Sequence, residues 1–277
     1  MISPSHKSGA ALLCCLAMVA ASGAQARELR VCADPNNLPF SNERGEGFEN
    51  RIVELIARDL KATVAYTWWA QRRGFLRNTI RAGTCDLVPG MPVGLGGLRP
   101  TRPYYRSAYV FVSRADGPAV ASLDDPALAR LRIGVQLAGN DAATTPPGQA
   151  LARRGLTDNV RGFVLTGDYA EPNPPARIID AVAKGEIDVA IAWGPMAGYF
   201  AARSDVRLRV TPVSPLIDGP MRPMVFDIVM GLRREDEALR QEVGASLAGR
   251  RQQIDAILAE YHVPRAEEAV AQPVAAR

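Results

Sequence analysis

The chain has 277 residues, of which 47% are hydrophobic and 22% are charged, and its formal net charge at pH 7 is +4. This length can bury the core of one large domain or of two smaller ones. The charge is too mild to indicate a nucleic-acid-binding protein, and no apolar run after residue 26 is long enough to span a bilayer.

The first segment of the chain has the features of a secretory signal peptide. Lys7 gives a positive start, residues 10–21 (AALLCCLAMVAA) form a short apolar stretch, and residues 24–26 (AQA) fit a cleavage site. The alternative is a buried hydrophobic helix, which the flanking charge and cleavage site disfavour. We therefore predict that residues 1–26 are removed and that the mature protein is exported.

The cysteine and histidine content fits an exported protein. Cys14 and Cys15 would leave with the signal peptide, and Cys32 and Cys85 would remain. An even pair in an oxidising compartment predicts one disulfide bond, and the alternative is two buried thiols that pack as small apolar groups. His262 would be the one histidine left, so we expect no transition-metal site.

Strands and helices alternate in the first half of the chain. The predicted elements are the strand LRVCAD (29–34), the helix FENRIVELIARDL (48–60), the strand TVAYTWW (63–69), the helix GFLRNTIRAG (74–83) and the strand CDLVPGM (85–91). In the first helix the apolar residues share one face. The β-α-β-α-β order predicts a parallel sheet.

The second half of the chain repeats this order. Leu-Arg-Val at 29–31 returns as Leu-Arg-Ile at 131–133, and RAGTCD at 81–86 returns at the same offset as AKGEID at 183–188. In both copies a glycine, Gly83 or Gly185, follows the helix and comes just before the next strand. Glycine suits the left-handed backbone position that often ends a helix. A helix-glycine-strand connection of this kind is common on its own. Two such connections, separated by the same number of residues as the matching first strands, predict two similar α/β lobes.

The elements of the second copy follow the same pattern. They are the strand LRIGVQL (131–137), the helix PPGQALARRG (146–155), the strand RGFVL (161–165), the helix PPARIIDAVAKG (174–185) and the strand IDVAIAW (187–193). Beyond residue 205 the pattern is irregular until the strand MVFDIVMGL (224–232), and helical segments follow over 236–261.

Two segments would join the lobes, YVFVSRAD at 109–116 and the strand MVFDIVMGL. Two crossings make a hinge, and a hinge between two lobes leaves a cleft. The predicted units are lobe 1 (27–111 with 225–264), lobe 2 (112–224) and a disordered tail (265–277).

The predicted cleft is lined by residues at the carboxyl ends of the strands, where open α/β sheets bind their ligands. Each lobe supplies polar residues just after its first strand, and the ends of later strands supply tryptophans and other side chains. The predicted ligand or partner residues are Asp34, Asn36, Asn37, Trp68, Trp69, Arg73, Met91, Gln136, Asn140, Asp141 and Trp193.

Several of these residues have a structural alternative. Neighbours on a strand point to opposite faces, so one of Trp68 and Trp69 would pack in the core while the other forms a cleft wall or partner anchor. Asp34 could cap the following turn instead of binding a ligand. Arg72 and Arg73 could pair with an anion or form a solvated helix start, and the solvated start is favoured.

Five stretches resemble one family: VCADPNNLPFSN, GFENRIVELIARDL, YTWWAQRRGFLRNTIRAG, PTRPYYRSAYVFV and IGVQLAGNDAATTPP. They are similar to the solute-binding-like proteins associated with quinoprotein dehydrogenases, the MxaJ/XoxJ type, over residues 28–264. The resemblance implies an α/β fold of the type II periplasmic binding protein class, with two lobes and a two-segment hinge. It also implies a periplasmic PQQ-dependent methanol or alcohol dehydrogenase as partner, with its cytochrome c as a further candidate, and a role in the dehydrogenase's maturation or activation.

The chain departs from ordinary amino-acid-binding proteins of this fold at both ends of the ligand. Those proteins usually hold the ligand carboxylate with a Thr-x-x-Arg segment, where this chain has MPVGLGGLRP at 91–100. They usually hold the ammonium group with an Asp, where this chain has Trp193 and Gly194. An alternative function is therefore substrate binding for an importer of a small solute that is not an amino acid.

Enzyme chemistry has little support in the sequence. A single histidine near the carboxyl terminus allows no Ser-His or Cys-His pair, and no P-loop is present. We expect no enzyme activity and no cofactor. A lyase on this fold, which would need only one acid, is the remaining enzyme alternative.

Overall fold

A computed structural model describes Met1 and residues 27–95, 97–137, 144–167 and 169–266. Apart from Met1, the predicted signal peptide lies outside the described residues, as do Asn140, Asp141 and most of the predicted tail. Within these ranges no helix is long and apolar enough to cross a membrane.

Strands and α-helices alternate through most of the described chain. The strands are β1 (Arg27–Ala33), β2 (Asn36–Asn37), β3 (Ser41–Asn42), β4 (Ala62–Trp68), β5 (Leu87–Pro92), β6 (Arg99–Pro100), β7 (Tyr105–Arg114), β8 (Ile133–Leu137), β9 (Val160–Val164), β10 (Val189–Trp193), β11 (Leu208–Pro212) and β12 (Val225–Leu232). The α-helices are α1 (Phe48–Asp59), α2 (Phe75–Asn78), α3 (Pro146–Arg153), α4 (Arg177–Ala183), α5 (Gly194–Ala201), α6 (Glu237–Gly249) and α7 (Arg251–Glu260). Short 3₁₀ segments lie at Ile80–Ala82, Pro126–Arg130 and Pro174–Ala176.

The strands form one curled sheet whose two sides have the same order. Along the sheet the order is β4-β1-β5-β12-β7-β10-β8-β9, with β6 beside β12 and β11 beside β7. On one side β4, β1 and β5 are parallel, and on the other β9, β8 and β10 are parallel. The matching order corresponds to the repeat in the sequence, and the type II periplasmic binding protein fold is confirmed.

Two central antiparallel strands carry the chain between the two sides of the sheet. Tyr105 to Ala108 of β7 pair with β12, whereas Tyr109 to Ser113 pair with β10. The remaining part of β12 pairs with β5. The predicted link at 109–116 is therefore the second part of a strand that begins at Tyr105. The lobe boundaries predicted at 111/112 and 224/225 stay predictions.

The amphipathic helix α1 packs the core on the side of β1. Phe48, Ile52 and Ile56 are each at most 1% exposed. The ring of Phe48 lies 5.9 Å, between centroids, from the rings of both Tyr105 and Tyr261. Burial of side chains of this size stabilises the fold by about 1.5–3 kcal/mol each, so this helix is fixed firmly against the sheet.

The prediction of one continuous helix over 74–83 is wrong. The segment divides into the short helix α2 and the 3₁₀ segment Ile80–Ala82. Thr79 separates the two with φ −120° and ψ −99°. Its hydroxyl donates to the Phe75 carbonyl over 2.6 Å, which competes with continued helix formation. Gly83 has a positive φ of 75°, as the predicted helix end requires.

The carboxyl-terminal end of the described chain stays packed through Ala266, the second residue of the predicted tail. The Ser107 hydroxyl donates to the Pro264 carbonyl over 2.7 Å, and the Ala266 N–H donates to the Arg106 carbonyl over 3.3 Å. Ala266 is 7% exposed. This segment therefore adds to the packing beside β7.

The predicted disulfide is present between β1 and the residue two positions before β5. Cys32 and Cys85 are fully buried and bonded, with their Cα atoms 5.6 Å apart. They pack with Phe75, Ile80 and Val88 in one apolar cluster. The bond therefore fixes two adjacent strands just before the loop that leads to the cleft.

Candidate functional site

The loop after β1 is organised by the buried carboxyl group of Asp34. This group accepts hydrogen bonds from the N–H of Asn36 (2.9 Å) and of Gln71 (2.6 Å). Burial raises the pKa of the carboxyl group, against the opposing effect of those two N–H donors. Asp34 thus has the turn-holding role that the sequence left open, and it joins the ends of β1 and β4.

The start of α1 is placed by a close backbone approach at Gly47. A Cβ atom there would lie 2.0 Å from the Phe40 carbonyl oxygen, so only glycine fits. The side-chain oxygen of Asn50 accepts from the Gly47 N–H over 3.1 Å and caps the helix. The Glu49 N–H donates to the Phe40 carbonyl over 3.0 Å. These bonds point the first turn of α1 into the space between the two sides of the sheet.

That space contains a cavity of about 210 Å³, which we call the inner cavity. Both sides of the sheet contribute to its walls, which combine polar and apolar side chains. The inner cavity is lined by Asn37, Phe40, Glu49, Gln71, Gly90, Gln136, Leu165, Thr166, Pro175, Trp193 and Met196.

Two oxygen atoms on the walls of the inner cavity are buried without a hydrogen-bond partner among the described residues. They are Oε1 of Glu49, on α1, and Oε1 of Gln136, on β8. Glu49 is 5% exposed, and burial raises its pKa to about 8. Unpaired buried acceptors are rare in native proteins and call for an explanation.

A second, wider depression opens at the surface, and we call it the outer groove. Its volume is about 630 Å³, and its walls include aromatic, charged and amide side chains. It is lined by Pro35, Asn36, Asn42, Glu43, Arg44, Trp68, Tyr169, Glu171, Pro172 and Asn173. Trp68 stacks on Tyr66 with ring centroids 4.4 Å apart, and Tyr169 is 53% exposed.

The two sides of the cleft touch at the outer groove and beside the loop after β4. The Asn36 side-chain amide donates to the Glu171 carbonyl over 2.8 Å. Arg72 packs against Gly167, where an added Cβ would lie 3.1 Å from the arginine Cδ. The described chain is therefore in a conformation in which residues after β9 meet the loops after β1 and β4.

The structure brings together part of the predicted cleft set. Asn37, Gln136 and Trp193 line the inner cavity, and Asn36 and Trp68 line the outer groove.

Four other predicted residues lie apart from both spaces. Trp69 is 42% exposed, so it is the outward member of the tryptophan pair, and Asp34 is buried in its loop. Arg73 is exposed but lines neither space. Met91 is 7% exposed and packs with the disulfide cluster. The irregular β5–β12 register and the positive φ of Gly90 interrupt the regular alternation of side chains along β5.

Aromatic rings pack at the centre of the sheet, where the chain crosses between its two sides. Trp193 lies 5.3 Å from Tyr109 and 5.9 Å from Phe226, measured between ring centroids, and both contacts are edge-on. Burial raises the pKa of Tyr109 well above its ordinary value. These contacts hold the two crossing strands together at the centre of the sheet.

Eight of the eleven residues that line the inner cavity are absent from the predicted set, and Glu49 is the ionisable one among them. Its position relative to Ile52, Val53 and Ile56 places it on the buried face of α1, and this spacing was the available signal. No cluster of three or more His, Cys, Asp or Glu side chains suited to a metal ion occurs among the described residues.

Comparison with known proteins gives a consistent set of relatives, although no family model matches the chain. The chain is 34% identical over 249 residues to protein MoxJ of Methylorubrum extorquens, covering 85% of this chain and 81% of that protein. It is 28% identical over 264 residues to protein MoxJ of Paracoccus denitrificans, covering 90% of this chain and 93% of that protein.

Solved structures show the same fold. The periplasmic binding protein XoxJ of Methylobacterium extorquens AM1 is 37% identical with a TM-score of 0.69, covering 86% of this chain and 98% of that structure. MxaJ of Methlophaga aminisulfidivorans MPT is 23% identical with a TM-score of 0.74, covering 86% of this chain and 99% of that structure. The first match extends the sequence resemblance, and the second supports the fold.

Proposed function

The chain belongs to the MoxJ family, and we propose on that premise that it is a periplasmic accessory protein of a PQQ-dependent methanol or alcohol dehydrogenase. In this role it binds the dehydrogenase and assists its maturation or activation, with the cytochrome c of the same system as a further candidate partner. The chain itself performs no catalysis and carries no cofactor. The proposal includes export and cleavage after residue 26.

The outer groove is the observation that carries the proposal. Its size suits a protruding loop or a few side chains of a partner protein, and Trp68 and Tyr169 supply large aromatic surfaces. Aromatic residues contribute disproportionately to the binding energy of protein interfaces.

The charges around the outer groove favour a polar interface rim. Glu43 and Arg44 line one side, and Glu171 lines the other, paired with Arg177 at 2.5 Å. Charges of both signs at a rim steer a partner and set its orientation more than they add affinity. This arrangement supports a specific and reversible complex.

The inner cavity argues against an ordinary amino-acid carrier. Among the described residues that line it, none is an arginine or a lysine that could hold a ligand carboxylate. Trp193 occupies the place of the usual ammonium-binding aspartate. An accessory role needs no such clamp.

A second candidate function is substrate binding for an importer of a small solute that is not an amino acid. The inner cavity supports it, because residues from both sides of the cleft line its walls. A carrier would open and close around its solute, whereas a docking protein needs only its surface. Importer binding predicts a large ligand-dependent change in compactness, measurable by small-angle X-ray scattering.

The proposed function is tested by titrating the mature chain (27–277) against the dehydrogenase encoded nearest to it. We expect Trp68→Ala and Tyr169→Ala to raise the Kd at least about tenfold, since truncating an aromatic anchor costs about 2 kcal/mol or more. Met221→Ala is the matched control, because Met221 is 96% exposed and lies outside the outer groove. Equal Kd values for all three variants and the parent would remove the outer groove from the account.

A further inference from the structure

The inner cavity contains two buried acceptors that the proposed docking role does not use. Oε1 of Glu49 and Oε1 of Gln136 come from opposite walls, and neither has a hydrogen-bond partner in the part of the chain that the structure describes. A buried acceptor left unpaired costs about 1–3 kcal/mol. A guest that donates hydrogen bonds to both atoms would remove this cost.

The charge of the cavity walls indicates which charge the ligand should carry. Glu49 is the one ionisable side chain among the described residues that line the inner cavity. Its carboxylate would attract a positive group, and the aromatic rings of Trp193 and Phe40 add surfaces that favour cations. A ligand carboxylate would meet no arginine or lysine there, which disfavours a zwitterion.

The apolar wall residues and the volume of the cavity limit the size and shape of the ligand. Leu165, Pro175 and Met196 supply apolar surface for a short hydrocarbon chain. The volume of about 210 Å³ is below the range of roughly 300–1,000 Å³ that is typical of drug-sized ligands. The guest should therefore be small, with one ammonium head and a few carbon atoms.

We propose that the inner cavity binds a small alkylammonium ion. Its ammonium N–H groups donate to Glu49 and Gln136, and its alkyl chain lies against Leu165, Pro175 and Met196. This site is independent of the proposed contact between the outer groove and the dehydrogenase, so either can fail without the other.

Binding of the cation should be coupled to release of a proton. Glu49 has a pKa of about 8 and is mostly protonated at pH 7 in the empty protein. The titratable groups that face it, Tyr66, Tyr104 and Tyr105, all have raised pKa values and stay neutral in this range. The affinity should therefore rise about tenfold per pH unit up to pH 8, and then level until the amine itself loses its proton near pH 10.

Isothermal titration calorimetry of the mature chain with n-propylammonium and with 1-propanol tests the site. We expect the amine to bind at least about tenfold more tightly than the alcohol, with about 0.9 proton released per amine at pH 7. The proton number comes from repeating the titration in buffers of different ionisation enthalpy. No amine binding up to about 50 mM at pH 8.5, or equal binding of the alcohol, would overturn the proposal.

Three variants make the test specific to the cavity. Glu49→Gln keeps the side-chain shape and should weaken amine binding at least tenfold and abolish proton release. Gln136→Leu, on the opposite wall, should weaken binding but retain proton release. Glu28→Gln is the matched control, since Glu28 is exposed and lines neither the inner cavity nor the outer groove, and it should leave amine binding unchanged. Unchanged amine binding in Glu49→Gln, with the fold verified by circular dichroism, would overturn the assignment.

Discussion

Replacing Glu49 by Gln should stabilise the protein, and the gain should grow as the pH rises. In the folded chain burial raises the pKa of Glu49 from 4.5 to about 8. In the unfolded chain the same group ionises near its ordinary value. Between these two values the folded state holds one more proton than the unfolded state, so the free energy of unfolding of the parent protein falls as the pH rises.

The size of the effect follows from the width of this pH window. Each pKa unit corresponds to about 1.4 kcal/mol, so the full shift costs about 5 kcal/mol above pH 8, where both states are ionised. Below about pH 4.5 both states are protonated and the cost disappears. Glu49→Gln removes the titrating group but keeps its size, so the variant should lack this pH dependence.

Urea unfolding of the parent and of Glu49→Gln, at intervals between about pH 5 and pH 9, measures the difference. We expect the variant's advantage to increase by about 1.4 kcal/mol per pH unit and to level near pH 8. Glu43→Gln serves as the control, because Glu43 is exposed and its replacement should leave the pH profile unchanged. A difference between parent and Glu49→Gln that stays constant with pH would refute the reasoning.

Two further predictions concern stability around the cleft. Reducing the Cys32–Cys85 bond, whose partners are 53 residues apart in sequence, should lower the free energy of unfolding by about 4 kcal/mol. Urea titration with and without reductant measures this loss, and an unchanged midpoint contradicts it. Gly90→Ala should lower the melting temperature more than Gly83→Ala: both glycines have positive φ, but only at Gly90 would the new methyl group meet Glu49, 2.1 Å from its Oε1. Equal losses in the two variants would show that this contact is unimportant.

The sequence was sufficient to predict the elements whose periodicity reflects burial on one face. The helix over 48–60 and the repeated β-α-β order correspond closely to α1 and to the two matching sides of the sheet. Competition between side-chain and backbone hydrogen bonds was harder to predict from the sequence. The Thr79 hydroxyl donates to the Phe75 carbonyl, and the helix ends there although the segment has a helical pattern.

The candidate site was predicted less completely because it depends on how separate segments meet. A glutamate in the first turn of a helix is usually a solvated group that favours the helix dipole. Glu49 is buried because Phe40, Gly90 and Trp193 surround the same cavity, and they are far apart in sequence. Met91 shows the reverse case: a strand end predicted in the cleft packs instead against the disulfide cluster.

The central claim is that the chain recognises a quinoprotein dehydrogenase during its maturation. The most direct test is a titration of the mature chain against that dehydrogenase, first stripped of quinone and metal and then fully loaded. We expect micromolar or tighter binding to the stripped form and binding at least about tenfold weaker to the loaded form. Absence of binding to both forms would contradict it and would leave the inner cavity as the protein's functional site.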